Sequence, residues 1–199
     1  MSNKWINRHT NDYYVRESQR NGYRARSAFK LLEINTRFNI IKKGNYVLDL
    51  GAAPGSWSQI ATGIVGSAGK VVAIDRLQME PLNGVEILMF DLKNSIDEIH
   101  SILENQVFHA VLSDMAPDTI GNVFVDHINS LDLADIAVHF AQTFLVKNGN
   151  LIIKIFQGGR EKEFINSVRE VFKKVSFFKP KATRVSSKEI YVICQYLKR

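Results

Sequence analysis

Residues 45–57 read NYVLDLGAAPGSW, and this stretch decides the fold. The apolar run that ends at Leu50 predicts a buried strand, and the small residues of GAAPG predict a tight turn after it. In a parallel sheet, ligands bind beyond the carboxyl ends of the strands, where small residues let the backbone approach a nucleoside closely. Pro54 interrupts the glycine pattern of a dinucleotide-binding turn, so the stretch favours a nucleoside cofactor.

Apolar runs alternate with amphipathic patterns along the rest of the chain. The pattern predicts strands at residues 45–50, 70–75, 85–90, 110–114, 150–156, 175–178 and 189–195. It predicts helices at residues 27–37, 57–64, 97–104, 127–147 and 161–174, the fourth ended by Asn148 and Gly149. Such alternation indicates an α/β fold with a mostly parallel sheet. A chain of 199 residues predicts a single domain over residues 1–199.

The composition is that of a globular protein, with 45% hydrophobic and 23% charged residues. No apolar run approaches the ~18 residues of a membrane span, so we expect no membrane association. Residues 1–5 lack the apolar core of a signal peptide, and a single cysteine, Cys194, cannot form an internal disulfide. These features predict a cytoplasmic protein.

Charge is segregated along the chain. Residues 1–44 carry a net charge of +7, residues 45–150 carry −9 and residues 151–199 carry +8. Two basic ends around an acidic middle suggest that the ends contact a polyanion and that the middle holds a neutral or cationic ligand. Nucleic acid is the partner that this charge pattern favours, and a solvated basic surface is the alternative.

Acidic residues end four successive predicted strands. They are Asp49, Asp75, Asp91 and Asp114. Any one of them could simply cap a turn or a helix, but a carboxylate at such a position can also hold ribose hydroxyls. Four in a row predict a cofactor crevice, which also accounts for the acidic middle of the chain.

Five segments resemble, in sequence and order, the motifs of the FtsJ-type RNA ribose 2′-O-methyltransferases. They are YRARSAFK at 23–30, DLGAAPGSWSQ at 49–59, SDMAP at 113–117, KIFQG at 154–158 and SSKEIY at 186–191. The resemblance implies the Rossmann-like fold of S-adenosylmethionine enzymes, a seven-stranded mostly parallel sheet with helices on both faces and an antiparallel last strand. Two positions depart from the family pattern, Ser56 in place of a second glycine and Asp118 in place of asparagine.

The resemblance also assigns roles to individual residues. It implies a catalytic set formed by Lys30, Asp114, Lys154 and Glu189. The cofactor, S-adenosyl-L-methionine, is expected on Gly51, Pro54, Gly55, Ser56, Trp57, Asp75, Asp91 and Asp114.

Chemistry alone explains why a lysine would serve here. A ribose hydroxyl is a poor nucleophile until a base takes its proton during attack. A lysine can do so only as the neutral amine, which requires its pKa to fall from about 10.4 to roughly 7 or 8. We expect burial and the second cation, Lys30, to favour neutral Lys154, while Asp114 and Glu189 orient the amines and oppose that shift. Taken singly, each of these residues could instead be an ordinary surface or capping residue.

The basic ends predict an RNA-binding rim beside the catalytic residues. Residues 1–44 are expected to form a basic N-terminal, RNA-contacting extension. The candidates are Arg16, Arg20, Arg24, Arg26, Lys179, Lys181 and Arg184, each of which could also form a surface salt bridge. The histidines form no paired ligand motif, so no metal is expected.

Within the family, the length and the short N-terminus most resemble the members that act on large-subunit ribosomal RNA. The resemblance therefore implies transfer of a methyl group to the ribose 2′-hydroxyl of a uridine in large-subunit (23S) ribosomal RNA, and we expect a monomer acting on free RNA or on the assembled subunit. One alternative is the same reaction on transfer RNA. Another is a noncatalytic RNA-binding assembly factor, against which the complete catalytic set argues. A nucleotide-dependent dehydrogenase would need a substrate domain for which the chain has no room.

Overall fold

A computed structural model describes residues 12–198, so the first eleven residues of the predicted N-terminal extension lie outside the described residues. The strands are β1 Tyr46–Leu50, β2 Lys70–Asp75, β3 Val85–Met89, β4 Phe108–Ser113, β5 Leu145–Phe156, β6 Phe172–Phe178 and β7 Glu189–Leu197. The α-helices are α1 Tyr13–Arg20, α2 Ala28–Phe38, α3 Ser56–Val65, α4 Ile96–Ile102, α5 Val123–Phe144 and α6 Glu161–Val171. None of these helices is long and apolar enough to cross a membrane.

The strands form one seven-stranded sheet in the order β3-β2-β1-β4-β5-β7-β6. The first five strands pair in parallel, whereas β7 runs antiparallel to both β5 and β6. This confirms the predicted α/β fold with its antiparallel last strand. The sheet places the carboxyl ends of β1, β2, β4 and β5 along one edge.

Successive side chains of each strand point to opposite faces of the sheet, and this alternation divides the core into two layers. Leu48, Val111 and Ile153 face one side of the sheet, where they pack with α5. Their neighbours Val47 and Ile152 face the other side, where they pack with α2 and α3. Helices therefore cover both faces, as near-continuous apolar strands require.

Helix α5 differs from its predicted bounds at both ends. It begins four residues early because the Asn122 side chain accepts hydrogen bonds from the N–H groups of Phe124 and Val125. It ends at Phe144, since Leu145 is extended and pairs with β4. The predicted helix stop at Asn148 and Gly149 is wrong, because Asn148, with φ 61°, lies within an irregular first half of β5.

Part of the basic N-terminal segment belongs to the core. Helix α2 buries Ala28, Leu31 and Ile34 completely. Helix α1 precedes it, and Asp12 caps α1 by accepting a hydrogen bond from the Tyr14 N–H. The segment is therefore integrated with the domain, and α2 places Lys30 beside the sheet.

Candidate active site

A cavity of about 460 Å³ opens at the carboxyl edge of the sheet. Gly51, Asp75, Asp91 and Asp114 contribute to its wall, and Met115 to Asp118 continue that wall after β4. Three of the four predicted strand-end carboxylates thus share one cavity of the size that small-molecule sites have. Arg76 and Lys93 also line the cavity, but four aspartates outnumber these two cations, so the wall suits a ligand that carries positive charge.

Gly51 is required where β1 meets this cavity. Its φ is 69°, and a Cβ there would lie 2.3 Å from Met115 Cγ. Gly55 also has a positive φ, 98°, at the start of α3. Ser56, by contrast, is the first residue of the helix, so replacing the family's second glycine requires no left-handed backbone here.

Backbone hydrogen bonds orient the two cavity carboxylates that end or follow β2 and β3. The N–H groups of Ala53 and Leu77 each donate to Asp75 at 2.8 Å, one to each oxygen. Asp91 accepts from the Lys93 N–H at 2.9 Å. Each carboxylate oxygen retains acceptor capacity, so both residues can still receive hydroxyl or amine donors from a ligand.

Asp49 is almost completely buried, and it lies behind the cavity wall, towards α3. The Ser58 hydroxyl donates to its Oδ2 at 2.6 Å, while Oδ1 has no hydrogen-bond partner within the part of the chain that the structure describes. Burial raises the pKa of Asp49 to about 7, and the negative charges of Asp114 and Asp75 act in the same direction. Asp49 therefore supports the site structurally, from outside the cavity wall.

The four predicted catalytic side chains come together as two ion pairs. Lys154 Nζ lies 3.0 Å from Asp114 Oδ1 and also donates to the Asp114 carbonyl oxygen. Lys30 Nζ contacts Glu189 Oε1. Lys154 and Lys30 are only 7% and 8% exposed, and such burial is unusual for lysine.

Tyr191 connects the two pairs, and sequence reasoning gave it no role. Its hydroxyl donates to Asp114 Oδ1 at 2.7 Å, and Lys30 Nζ lies 5.8 Å from its ring centre. Its position in β7, two residues after Glu189, was the available signal, because alternate residues of a strand share a face. Burial acts to raise the pKa of Asp114, but Lys154, Lys30 and this hydroxyl outweigh it and lower that pKa overall.

The remaining predicted cofactor residues directly follow Ala53, which lines the cavity. Pro54, Gly55, Ser56 and Trp57 are not among its lining residues. Trp57 is 2% exposed, and its indole packs on Tyr191 and donates to the Ser27 carbonyl. The Trp57 side chain is therefore a core residue, because its large apolar ring fills the space between α2, α3 and the sheet.

The predicted RNA-binding residues fall into two groups. Arg16, Arg20, Lys179, Lys181 and Arg184 are exposed, although Arg20 pairs with Glu17 and Arg184 pairs with Asp12. The Arg24 guanidinium instead donates to the carbonyls of Pro54, Glu80 and Pro81, and that of Arg26 contacts Asp12 and the Ala182 carbonyl. Arg24 and Arg26 thus fasten the N-terminal segment to the domain.

Within residues 12–198, no group of three or more His, Cys, Asp or Glu side chains could hold a metal ion. Two histidines do lie close together: the Nε2 atoms of His100 on α4 and His139 on α5 are 3.2 Å apart. Burial and the charge of His139 lower the pKa of His100.

Known proteins resemble this chain over nearly its whole length. Residues 23–197 match the family described as FtsJ-like methyltransferase. The ribosomal RNA large subunit methyltransferase E of Neorickettsia sennetsu is 40% identical over 96% of this chain and 91% of its own length. The protein of the same name from Francisella tularensis subsp. novicida is 42% identical, over 98% and 96%. A ribosomal RNA methyltransferase structure from Plasmodium falciparum superposes with a TM-score of 0.74 and 28% identity, covering 88% of this chain and 98% of that one.

Proposed function

The chain belongs to the FtsJ-like methyltransferase family, and we propose that it methylates the ribose 2′-hydroxyl of a uridine in large-subunit ribosomal RNA, with Lys154 as the general base. It is an S-adenosylmethionine-dependent methyltransferase. The observation that carries the proposal is the position of Asp114, which lines the cavity and contacts Lys154. One residue thus joins the cofactor crevice to the catalytic lysine.

The residues of the cavity fit the cofactor. S-adenosylmethionine supplies an electrophilic methyl group on a positively charged sulfur, and the wall offers four carboxylates for its cationic and hydroxyl groups. Asp75 would hold the ribose and Asp91 the adenine end. Gly51 lines the cavity without a side chain, and a Cβ there would collide with Met115.

Lys154 acts as the base in the proposed mechanism. As the neutral amine it accepts the proton of the 2′-hydroxyl while the new C–O bond forms, and it becomes an ammonium that Asp114 stabilises. The contacts of Lys154 Nζ with the Asp114 side chain and carbonyl hold the amine in place. The Lys30–Glu189 pair supplies a second cation near Asp114, so that the charges of two amines stabilise this carboxylate.

The segment after β4 favours a hydroxyl acceptor over an amine. Amino-methyltransferases of this fold place an Asn/Asp-Pro-Pro-aromatic segment here to hold an exocyclic amine and stack on the base. This chain has Asp114-Met115-Ala116-Pro117, without the second proline and the ring. A hydroxyl acceptor with a lysine base therefore fits better.

Ribosomal RNA is the substrate that the named relatives support, and transfer RNA is the second candidate. The exposed basic residues of α1 and of the segment before β7 would hold its phosphates. We further propose that the enzyme acts as a cytoplasmic monomer on RNA or on the assembled large subunit.

Incubation with methyl-labelled S-adenosylmethionine tests the function directly. Separate reactions receive large subunits, small subunits, deproteinised ribosomal RNA and transfer RNA, and the labelled nucleotide is mapped. We expect label on a uridine ribose of large-subunit RNA. Label confined to transfer RNA would overturn the substrate, label on a base would overturn the acceptor, and RNA binding without any label would favour an assembly factor.

A further inference from the structure

An exposed apolar cluster lies at the carboxyl edge of the sheet, outside the cavity wall. Ile120, Val123 and Phe124 are 69%, 50% and 51% exposed. The guanidinium carbon of Arg160 lies 5.2 Å from the centre of the Phe124 ring. None of the ion pairs found in residues 12–198 includes Arg160, so its charge has no carboxylate partner there. We call Phe124 and Arg160 the platform.

Buried hydrogen bonds fix the two halves of the platform to each other. His127, one turn after Phe124 on α5, is completely buried. Its Nδ1 lies 2.7 Å from the Phe156 carbonyl oxygen, and its Nε2 accepts from the Arg160 N–H at 3.2 Å. The imidazole also fills the space above Gly158, where an added Cβ would lie 2.3 Å from its Cγ. The loop that carries Arg160 is therefore held against the start of α5.

The same contacts place the platform beside the catalytic site. Phe156, which His127 holds, is two residues beyond Lys154 on β5. On the other side, Asn129 lies five residues after Phe124 on α5 and lines the cofactor cavity. The platform consequently stands at the sheet edge where an acceptor ribose must enter.

We infer that the platform binds an unpaired RNA base next to the methylated ribose, an inference that rests on the proposed function. Aromatic rings and guanidinium planes are the surfaces on which single-stranded bases stack. The unpaired charge of Arg160 complements the phosphates on either side of such a base. A nucleotide whose 2′-hydroxyl reaches the buried Lys154 has to leave its helical stack, so this nucleotide or its neighbour loses a stacking contact. The platform replaces that contact.

Steady-state kinetics on the large-subunit substrate test the platform. For Phe124→Ala we expect KM for the RNA substrate to rise by about fivefold to 150-fold, the loss measured for a stacked base. The kcat and the cofactor affinity should stay those of the parent, and Arg160→Ala should act in the same direction. Phe124→Trp should have a KM close to that of the parent, because indole offers a larger stacking face. The matched control is Phe177→Ala, which removes a ring of similar exposure, 46%, from β6.

The outcomes distinguish a failure of the base-binding inference from a failure of the proposed function. If the parent enzyme methylates RNA and folded Phe124→Ala has the parent's KM, the platform is wrong and the proposed function stands. If Phe124→Trp loses as much as Phe124→Ala, stacking is not the cause and the inference is overturned. Photo-cross-linking with 4-thiouridine-substituted subunits should join a nucleotide to Phe124, whereas nucleotide cross-links that form only on other surfaces of the protein would overturn a base-binding role. A parent that transfers no methyl group to any RNA would remove the proposed function itself.

Discussion

Replacing Lys154 by methionine tests the proposed base most directly. The side chain is 7% exposed, and methionine keeps most of the packing of its apolar stem. General-base catalysis contributes about 10²- to 10⁴-fold, or roughly 3 to 5 kcal/mol of the barrier. We expect single-turnover methyl transfer to slow by that factor. Cofactor affinity should survive, because Gly51, Asp75 and Asp91 line the cavity without contacting Lys154.

The stability cost of this change can be worked out from the contacts of Asp114. The carboxylate loses the 3.0 Å contact with Lys154 but keeps the 2.7 Å hydrogen bond from Tyr191 and the nearby charge of Lys30. Breaking a buried ion pair costs about 3 to 5 kcal/mol, so we expect about 1 to 3 kcal/mol with these partners retained. That loss lowers the melting temperature by about 2 to 4 °C per kcal/mol.

The assay for Lys154→Met is single-turnover transfer from labelled cofactor, run below the melting temperature of the variant, with calorimetry for cofactor binding. Lys174→Met, at an exposed position of β6, is the matched control and should behave as the parent does. A folded Lys154→Met enzyme with a rate within about threefold of the parent, a barrier change of roughly 0.7 kcal/mol, would refute the assignment of the base.

Three further predictions concern the cofactor, the RNA and the fold. Asp75→Ala or Asp91→Ala should weaken S-adenosylmethionine binding by about 1 to 3 kcal/mol in calorimetry, and unchanged affinity in both would mean that the cavity holds something else. Replacing Lys179 and Lys181 together by alanine should make the negative slope of log affinity against log salt shallower by about 1.4 to 1.8, since each neutralised phosphate releases roughly one counterion; a parental slope in the folded double variant contradicts the rim. Because burial raises the pKa of Asp49 to about 7, the parent should lose stability as pH rises from about 4 to 7, and Asp49→Asn should lose less, which denaturation at several pH values will show.

The sequence predicts a strand correctly where its local apolar pattern agrees with its burial in the folded protein. Strand β2 occupies Lys70–Asp75, the predicted range, because its apolar run is buried from end to end. Strand β5 was predicted to begin at residue 150, but it begins at Leu145. The Asn148-Gly149 pair has the composition of a helix stop, and only pairing with β4 shows that it is a kink within a strand. Such pairing is a long-range contact that a local pattern does not contain.

The site residues also differ in whether their role could be predicted from the local sequence or only from the fold. The resemblance implied a catalytic set of Lys30, Asp114, Lys154 and Glu189, and the fold brings these four side chains together as two ion pairs. Trp57 could line a ligand or fill the core with equal ease, and the choice depended on what α2 placed opposite it. His127 had no distinguishing signal, because its role comes from two backbone groups 29 and 33 residues away along the chain.

Asp114 belongs both to the cavity and to the proposed proton-transfer site. Thermodynamic linkage makes such sharing reciprocal: if a cationic occupant of the cavity eases loss of a proton beside Asp114 by some factor, loss of that proton tightens the occupant's binding by the same factor. The methyl donor and the readiness of the base are then coupled through a single carboxylate. A base arranged as we propose loses its proton more readily while the cavity holds its cationic ligand, and this form of control requires no moving part.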